Sequence, residues 1–182
     1  MVADPPSPFV IEWLPALVRA VPEPRRAFDV AMGRGRHALP LAAAGFRTFG
    51  VDLRFDAVRD AVQRAGSDRL IVRAWCADLT RHPIPASRFE LVLVTRYLQR
   101  DLFAALRDAL TPGGVIVYET FTEAQRVYGR GPTSPDHLLR PGELRRAFEG
   151  FDVLFEEELR EPEGLARIVA RKPLPSPKAG PG

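Results

Sequence analysis

Short apolar runs alternate with segments of helical spacing from Ala27 onward, and no other feature restricts the possible folds so strongly. Residues 27–30, 46–52, 70–75, 91–94 and 115–118 read as strands. Leu91-Val92-Leu93-Val94 is apolar throughout, the pattern of a strand covered on both faces. Between the strands, a helix beginning near Arg36 carries Leu39, Leu41 and Ala44 and stops at Gly45. A second presents Phe55, Val58, Ala61, Val62 and Ala65 and closes at Gly66. A third, capped by Asp101, carries Leu102, Phe103, Leu106, Ala109 and Leu110. Thr111-Pro112-Gly113-Gly114 turns the chain into the 115–118 strand, and Pro141 opens a short helix over 143–148. The last two strands, 151–155 and 166–170, leave no room for a helix between them and form a hairpin around Pro162-Glu163-Gly164. The expectation is an α/β, doubly wound, mostly parallel seven-stranded sheet with helices on both faces and a C-terminal antiparallel hairpin.

At 182 residues, 46% hydrophobic and 27% charged, the chain fits one domain with a full core. Its expected extent is 1–172, with an N-terminal helix within 9–21 and a Pro-rich, disordered tail over 173–182. No apolar run approaches the roughly 20 residues of a membrane span, and the N-terminus lacks a secretory pattern. Cys76 is the only cysteine and no Cys/His cluster has zinc spacing, so neither an internal disulfide nor a metal is expected. These features predict a cytoplasmic monomer or homodimer. The net charge of +3 comes from arginines interleaved with acids rather than gathered in a stripe, which disfavours a nucleic-acid partner. The absence of Asn and scarcity of Gln suit either a thermophile or a GC-rich genome.

Gly33-Arg34-Gly35-Arg36-His37-Ala38 matches G-x-G-x-x-A at a strand-to-helix junction, a pattern for close backbone approach to a ligand. Either a nicotinamide dinucleotide or S-adenosylmethionine suits such a loop. Asp29 separates them: a carboxylate just before the loop opposes a pyrophosphate but suits a sulfonium and an ammonium group. Asp52, ending the second strand, can accept from both ribose hydroxyls of either ligand. Asp78, after the third, can accept from an adenine amino group. The three acids follow successive strands and ring one crevice at their carboxyl ends.

Asp29-Val30-Ala31-Met32-Gly33-Arg34-Gly35 resembles the first motif of the class I S-adenosylmethionine-dependent methyltransferases. Gly50-Val51-Asp52, Ala77-Asp78, Phe89-Glu90-Leu91-Val92 and Leu110-Thr111-Pro112-Gly113-Gly114 resemble the later motifs, in order. Gly35-Arg36 running into a helix, then Ala44-Gly45-Phe46, is similar to the small tellurite-resistance-type branch. The resemblance implies that family's Rossmann-like fold, with S-adenosylmethionine as cofactor. It assigns cofactor binding to Asp29, Ala31, Gly33, Gly35, Arg36, Asp52, Leu53, Ala77, Asp78 and Thr95. Ala31, often glycine in the family, and Gln99, often histidine in this group, keep a non-catalytic S-adenosylmethionine-binding relative as the alternative. A nicotinamide-dependent oxidoreductase is more remote.

Methyl transfer is an in-line displacement that brings its own leaving group, so the protein must align the acceptor and exclude water. A base is needed only where the acceptor loses a proton. Glu119 is the candidate acceptor-facing carboxylate, with a salt bridge to an arginine as its structural alternative. Arg96 and Tyr97 follow the fourth strand, where they can orient an acidic or aromatic acceptor. A small-molecule acceptor is expected, because almost no chain lies outside the sheet motifs. The long stretch 122–140 reads as a lid over the crevice.

Overall fold

The computed structural model describes residues 4–175, and the remainder of the expected tail, 176–182, lies outside the described residues. Helix α1 (Pro8–Ala20) leads into β1 (Arg26–Val30), α2 (Ala38–Ala43), β2 (Arg47–Asp52), α3 (Phe55–Ser67), β3 (Val72–Cys76) and β4 (Phe89–Thr95). There follow α4 (Phe103–Ala109), β5 (Leu110–Phe121), α5 (Glu143–Ala147), β6 (Asp152–Leu159) and β7 (Leu165–Arg171). The seven strands form one sheet in the order β3-β2-β1-β4-β5-β7-β6. All pairings from β3 to β5 are parallel, and β7 runs antiparallel to both β5 and β6. This is the doubly wound sheet with a reversed C-terminal strand that the sequence pattern predicts. Among the described residues, no helix is long and apolar enough to cross a membrane.

Period-two alternation sends successive residues of each central strand to opposite faces. Ala27, Leu91, Leu93, Val115, Val117 and Val169 pack with Phe9, Val10 and Leu17 of α1 and Leu41 of α2. Phe28, Val92, Val94, Ile116 and Tyr118 pack on the other face against Leu106 of α4 and Leu144 and Phe148. Every residue of β4 is buried, as a strand in the middle of the sheet requires.

Three local expectations are revised. Helix α2 starts at Ala38, later than Arg36, because Gly33 and Gly35 hold left-handed φ values of 55° and 78° that keep the loop out of the helix. Asp101 caps nothing: it lies in a 3-10 turn, Arg100–Leu102, and receives only the Gln99 side chain at 3.4 Å. Thr111–Gly114 belongs to β5, looped out as a bulge where the register with β4 shifts.

The 122–140 stretch is not a free lid. It holds two 3-10 turns, Glu123–Tyr128 and Pro135–His137, and a bridge pairs Thr122 with Leu139. Gln125 is buried, and its amide donates to Arg130 O at 3.0 Å and accepts from Gly164 N–H at 2.8 Å. Arg100 ties the far end by donating to the carbonyls of Pro135, Asp136 and Leu138. Satisfied backbone polar groups and buried Leu138 and Leu139 make this segment part of the packed structure.

Candidate active site

Strand order reverses between β1 and β4, so the loops leaving their carboxyl ends diverge and open a crevice. Ala31, Asp52, Leu53, Ala77, Asp78 and Tyr97 line a cavity of about 230 Å³ there. Ala31, Gly33, Arg36, Thr95 and Asp4 line an adjoining one of about 210 Å³. Ala31 belongs to both, and its backbone holds φ 54°, a conformation costly for any residue with a Cβ. The loop therefore keeps the shape that glycine usually provides, even with alanine in that position. Gly35 faces neither cavity; a Cβ there would meet Leu39 Cδ1 at 2.7 Å and Ala61 Cβ at 3.0 Å. It lets the loop pack on α2 and α3.

The three acids occupy different environments. Asp52 closes β2, where its Oδ2 accepts from Gly33 N–H at 2.8 Å and its Oδ1 from Arg54 N–H at 2.9 Å. Each oxygen has a further lone pair, and Asp52 lines the cavity. Asp78 Oδ1 accepts from the Thr80 amide and hydroxyl, and those bonds hold its carboxyl below the usual carboxylate range. Asp29 is buried under the loop, and among the described residues its Oδ2 has no hydrogen-bond partner. Burial pushes its pKa up to about 7, with the Arg36 charge and the Ala38 N–H acting the other way.

Sheet register sets a polar row on the face covered by α1. Thr95 pairs with Glu119, Glu119 with Arg167, and Arg167 with Glu157, across β4, β5, β7 and β6. Arg167 Nε donates to Glu119 Oε2 at 2.7 Å, and its Nη1 to Glu157 Oε2 at 3.2 Å. Glu119 thus stands two residues before the end of β5, in a cross-strand ion pair. Its Oε1 makes no hydrogen bond among the described residues. Arg96, just beyond β4, has φ 51° and its N–H donates to Glu119 O at 2.8 Å. Its guanidinium reaches Glu163 at 3.4 Å and lies over the Phe121 ring.

Tyr97 is relocated. Its ring faces the cavity of Asp52 and Asp78, and burial, with those two charges, raises its pKa. It therefore stands beside Asp52 and Asp78, away from Glu119. Sequence reasoning also missed His37, which is fully buried beside Thr95. The Ser7 amide can only donate, so Nε2 accepts at 2.9 Å, and Nδ1–H donates to Thr95 Oγ1 at 3.1 Å. Burial, then the charges of Arg36 and Arg96, lower its pKa to about 3. The available signal was its place directly before the helix that follows the glycine loop. Through it, residues 4–7 are drawn across the crevice mouth.

Residues 27–114 match a family model described as "Methyltransferase domain". No curated protein matches the chain. Among solved structures, the chain is similar to an S-adenosylmethionine-dependent methyltransferase from Mesorhizobium loti, at 22% identity and a TM-score of 0.67. That match covers 88% of this chain and 97% of the other. It is similar to TehB from Haemophilus influenzae at 14% identity and a TM-score of 0.73, over 92% of this chain and 62% of that one. A [4+2]-cyclase, SpnF, aligns at 16% identity and a TM-score of 0.70, over 90% and 81% of the two chains. One fold therefore serves more than one chemistry.

Proposed function

We propose that this chain, a member of the class I S-adenosylmethionine-dependent methyltransferase family with S-adenosylmethionine as its cofactor, transfers a methyl group to a small-molecule acceptor by in-line displacement. The observation that carries this reading is the paired cavities meeting at Ala31, one of them lined by the Asp52 and Asp78 carboxylates that a nucleoside requires. The residues fit that cofactor. Asp52 retains lone pairs for two ribose hydroxyls, and Asp78 stands by for the adenine amino group. Leu53, Ala77 and Tyr97 supply apolar walls. Asp29, buried with an unpartnered oxygen, favours positive charge above the loop and disfavours a pyrophosphate, which argues against a nicotinamide cofactor. When bound, S-adenosylmethionine supplies an electrophilic methyl group and its leaving group together.

The protein's own part is alignment and proton handling. Arg167 holds the Glu119 carboxylate by Oε2 and leaves Oε1 to take a proton from the acceptor. Residues 4–7, fixed through Ser7 and His37, cover the crevice and exclude water. The Glu119–Arg167 ion pair is also the observation that favours a second reading, a relative that binds S-adenosylmethionine without transferring methyl.

Calorimetric titration with S-adenosylmethionine, S-adenosylhomocysteine and NADH tests the assignment; the first two should bind and the third should not. In Asp52→Ala, two charge-assisted hydrogen bonds of about 1.5–3 kcal/mol each are lost, so S-adenosylhomocysteine affinity should fall at least ~10-fold in a folded protein. Unchanged affinity would move the cofactor elsewhere.

A further inference from the structure

We propose that the methyl acceptor carries a carboxylate, received by Arg96 and Arg36 in a cavity beside the cofactor crevice. The inference rests on the methyltransferase reading and names the substrate class for that same site. The cavity, of about 210 Å³, lies between the N-terminal segment, the glycine loop, the carboxyl ends of β4 and β5 and the amino end of the antiparallel β7. Its walls include Asp4, Arg36, Arg96, Glu119, Glu163 and Arg167, three acids and three guanidiniums.

These charges pair unevenly. Glu119 and Arg167 are closely joined, and Arg167 reaches Glu157 as well. Arg96 has only Glu163, at 3.4 Å and partly exposed, an ion pair of little strength. Arg36 makes no ion pair within 4.0 Å among the described residues; its one side-chain hydrogen bond goes to Thr95 at 3.4 Å. Both cations thus face one space whose acids, Asp4, Glu119 and Glu163, make no close ion pair with Arg36 among the described residues and only the 3.4 Å Glu163 contact with Arg96. Their proximity shows in Arg36, whose pKa is lowered first by burial and then by the charge of Arg96. A guanidinium in a partly dry wall favours an anion, and its planar fork matches the two oxygens of a carboxylate.

Arg96 is also held in place before any ligand arrives. Its φ of 51° is unfavourable for a residue with a side chain, its N–H is fixed on Glu119 O, and its guanidinium rests on Phe121. Glu119 borders the same space, so an acceptor held by its carboxylate presents its reacting group near the candidate base. Asp4, Glu119 and Glu163 around the rim penalise a second negative charge. That selects a monoanionic carboxylate over a phosphate.

The test uses the full chain saturated with S-adenosylhomocysteine, titrated calorimetrically with benzoate, its neutral counterpart benzamide, and inorganic phosphate. Benzoate should bind at least ~10-fold more tightly than either of the others, since only it offers a singly charged carboxylate to the two guanidiniums. Arg96→Gly, which relaxes the backbone at that φ, should abolish the preference while S-adenosylhomocysteine affinity stays within about twofold. Arg96→Lys, keeping the charge without the fork, should retain a reduced preference. Equal binding of acid and amide, no benzoate binding at millimolar concentration, tighter binding of phosphate, or a preference that survives Arg96→Gly each overturns the proposal and leaves the methyltransferase reading standing. Failure of S-adenosylhomocysteine itself to bind overturns that reading, and the carboxylate site with it.

Discussion

Asp29 and His37 set two buried titrations of opposite sign beside one loop. Burial raises Asp29 from 3.8 to about 7 and lowers His37 from 6.5 to about 3. Between those values the folded chain keeps a proton on Asp29 that the unfolded chain releases, so this group lowers stability as pH rises. His37 does the reverse: the unfolded chain takes a proton that the folded chain refuses, so stability falls as pH drops from about 6.5 toward 3. Each contributes about 1.4 kcal/mol per pH unit, and across pH 4–6.5 the two slopes oppose each other. Removing one exposes the other. Asp29→Asn should gain stability with rising pH across that window and His37→Gln should lose it, as urea midpoints at several pH values will record. Level profiles in both variants would mean that neither group titrates in this way. At the same scale, Glu119→Gln keeps the shape that meets Arg167 but cannot take a proton. Transfer to an identified acceptor should slow by about 10²–10⁴-fold with S-adenosylhomocysteine affinity unchanged; unimpaired transfer would assign Glu119 a structural role alone. That Asp52 and Asp78 come together at one cavity was legible because each stands at the end of a strand whose pattern is plain. His37 and Arg167 were not, because their importance comes from partners 58 and 48 residues away that only the folded register supplies.

Among the elements, the excursion between β5 and α5 depends on one side chain. Gln125→Ala would leave the Gly164 N–H and the Arg130 carbonyl without their partner, at a cost of about 1–3 kcal/mol for a buried group. Amide exchange should quicken at Gly164 and along 123–139, while the strands keep their protection; unchanged exchange would show that Leu138 and Leu139 hold the segment unaided. The sequence shows that this stretch is long and irregular, since its glycines and prolines are plain. It does not show where the stretch docks, because Gln125 is polar and reads as surface until its two partners are known. The same limit affects β5. Thr111-Pro112-Gly113-Gly114 has every mark of a turn, and only pairing with Phe89 brings Leu110 into the strand. Conversely, the order and spacing of the strands were legible almost throughout, because apolar runs bounded by glycine leave little choice of period.

At the level of the whole molecule, α1 covers the sheet face over β4, β5 and β7. Phe9 meets Trp13, Phe155 and the Arg167 guanidinium, so it joins the helix to the hairpin and the polar row at once. Phe9→Ala should cost about 3–5 kcal/mol, read as a lower urea midpoint with a single transition. A loss below about 1 kcal/mol would show that α1 can repack without it. The sheet order carries a consequence for the chain as it is made. The last of the described strands is not at the edge: β7 lies between β5 and β6, and among the described residues β6 pairs with β7 alone. A nascent chain that has extruded β6 but not β7 has nothing for β6 to pair with, so the sheet stops at five strands and jumps to seven when Leu165–Arg171 emerges. Arg167 arrives in that same step, and with it the partner that orients Glu119. The Glu119–Arg167 pair therefore has no partial precursor during synthesis; it is completed together with the sheet.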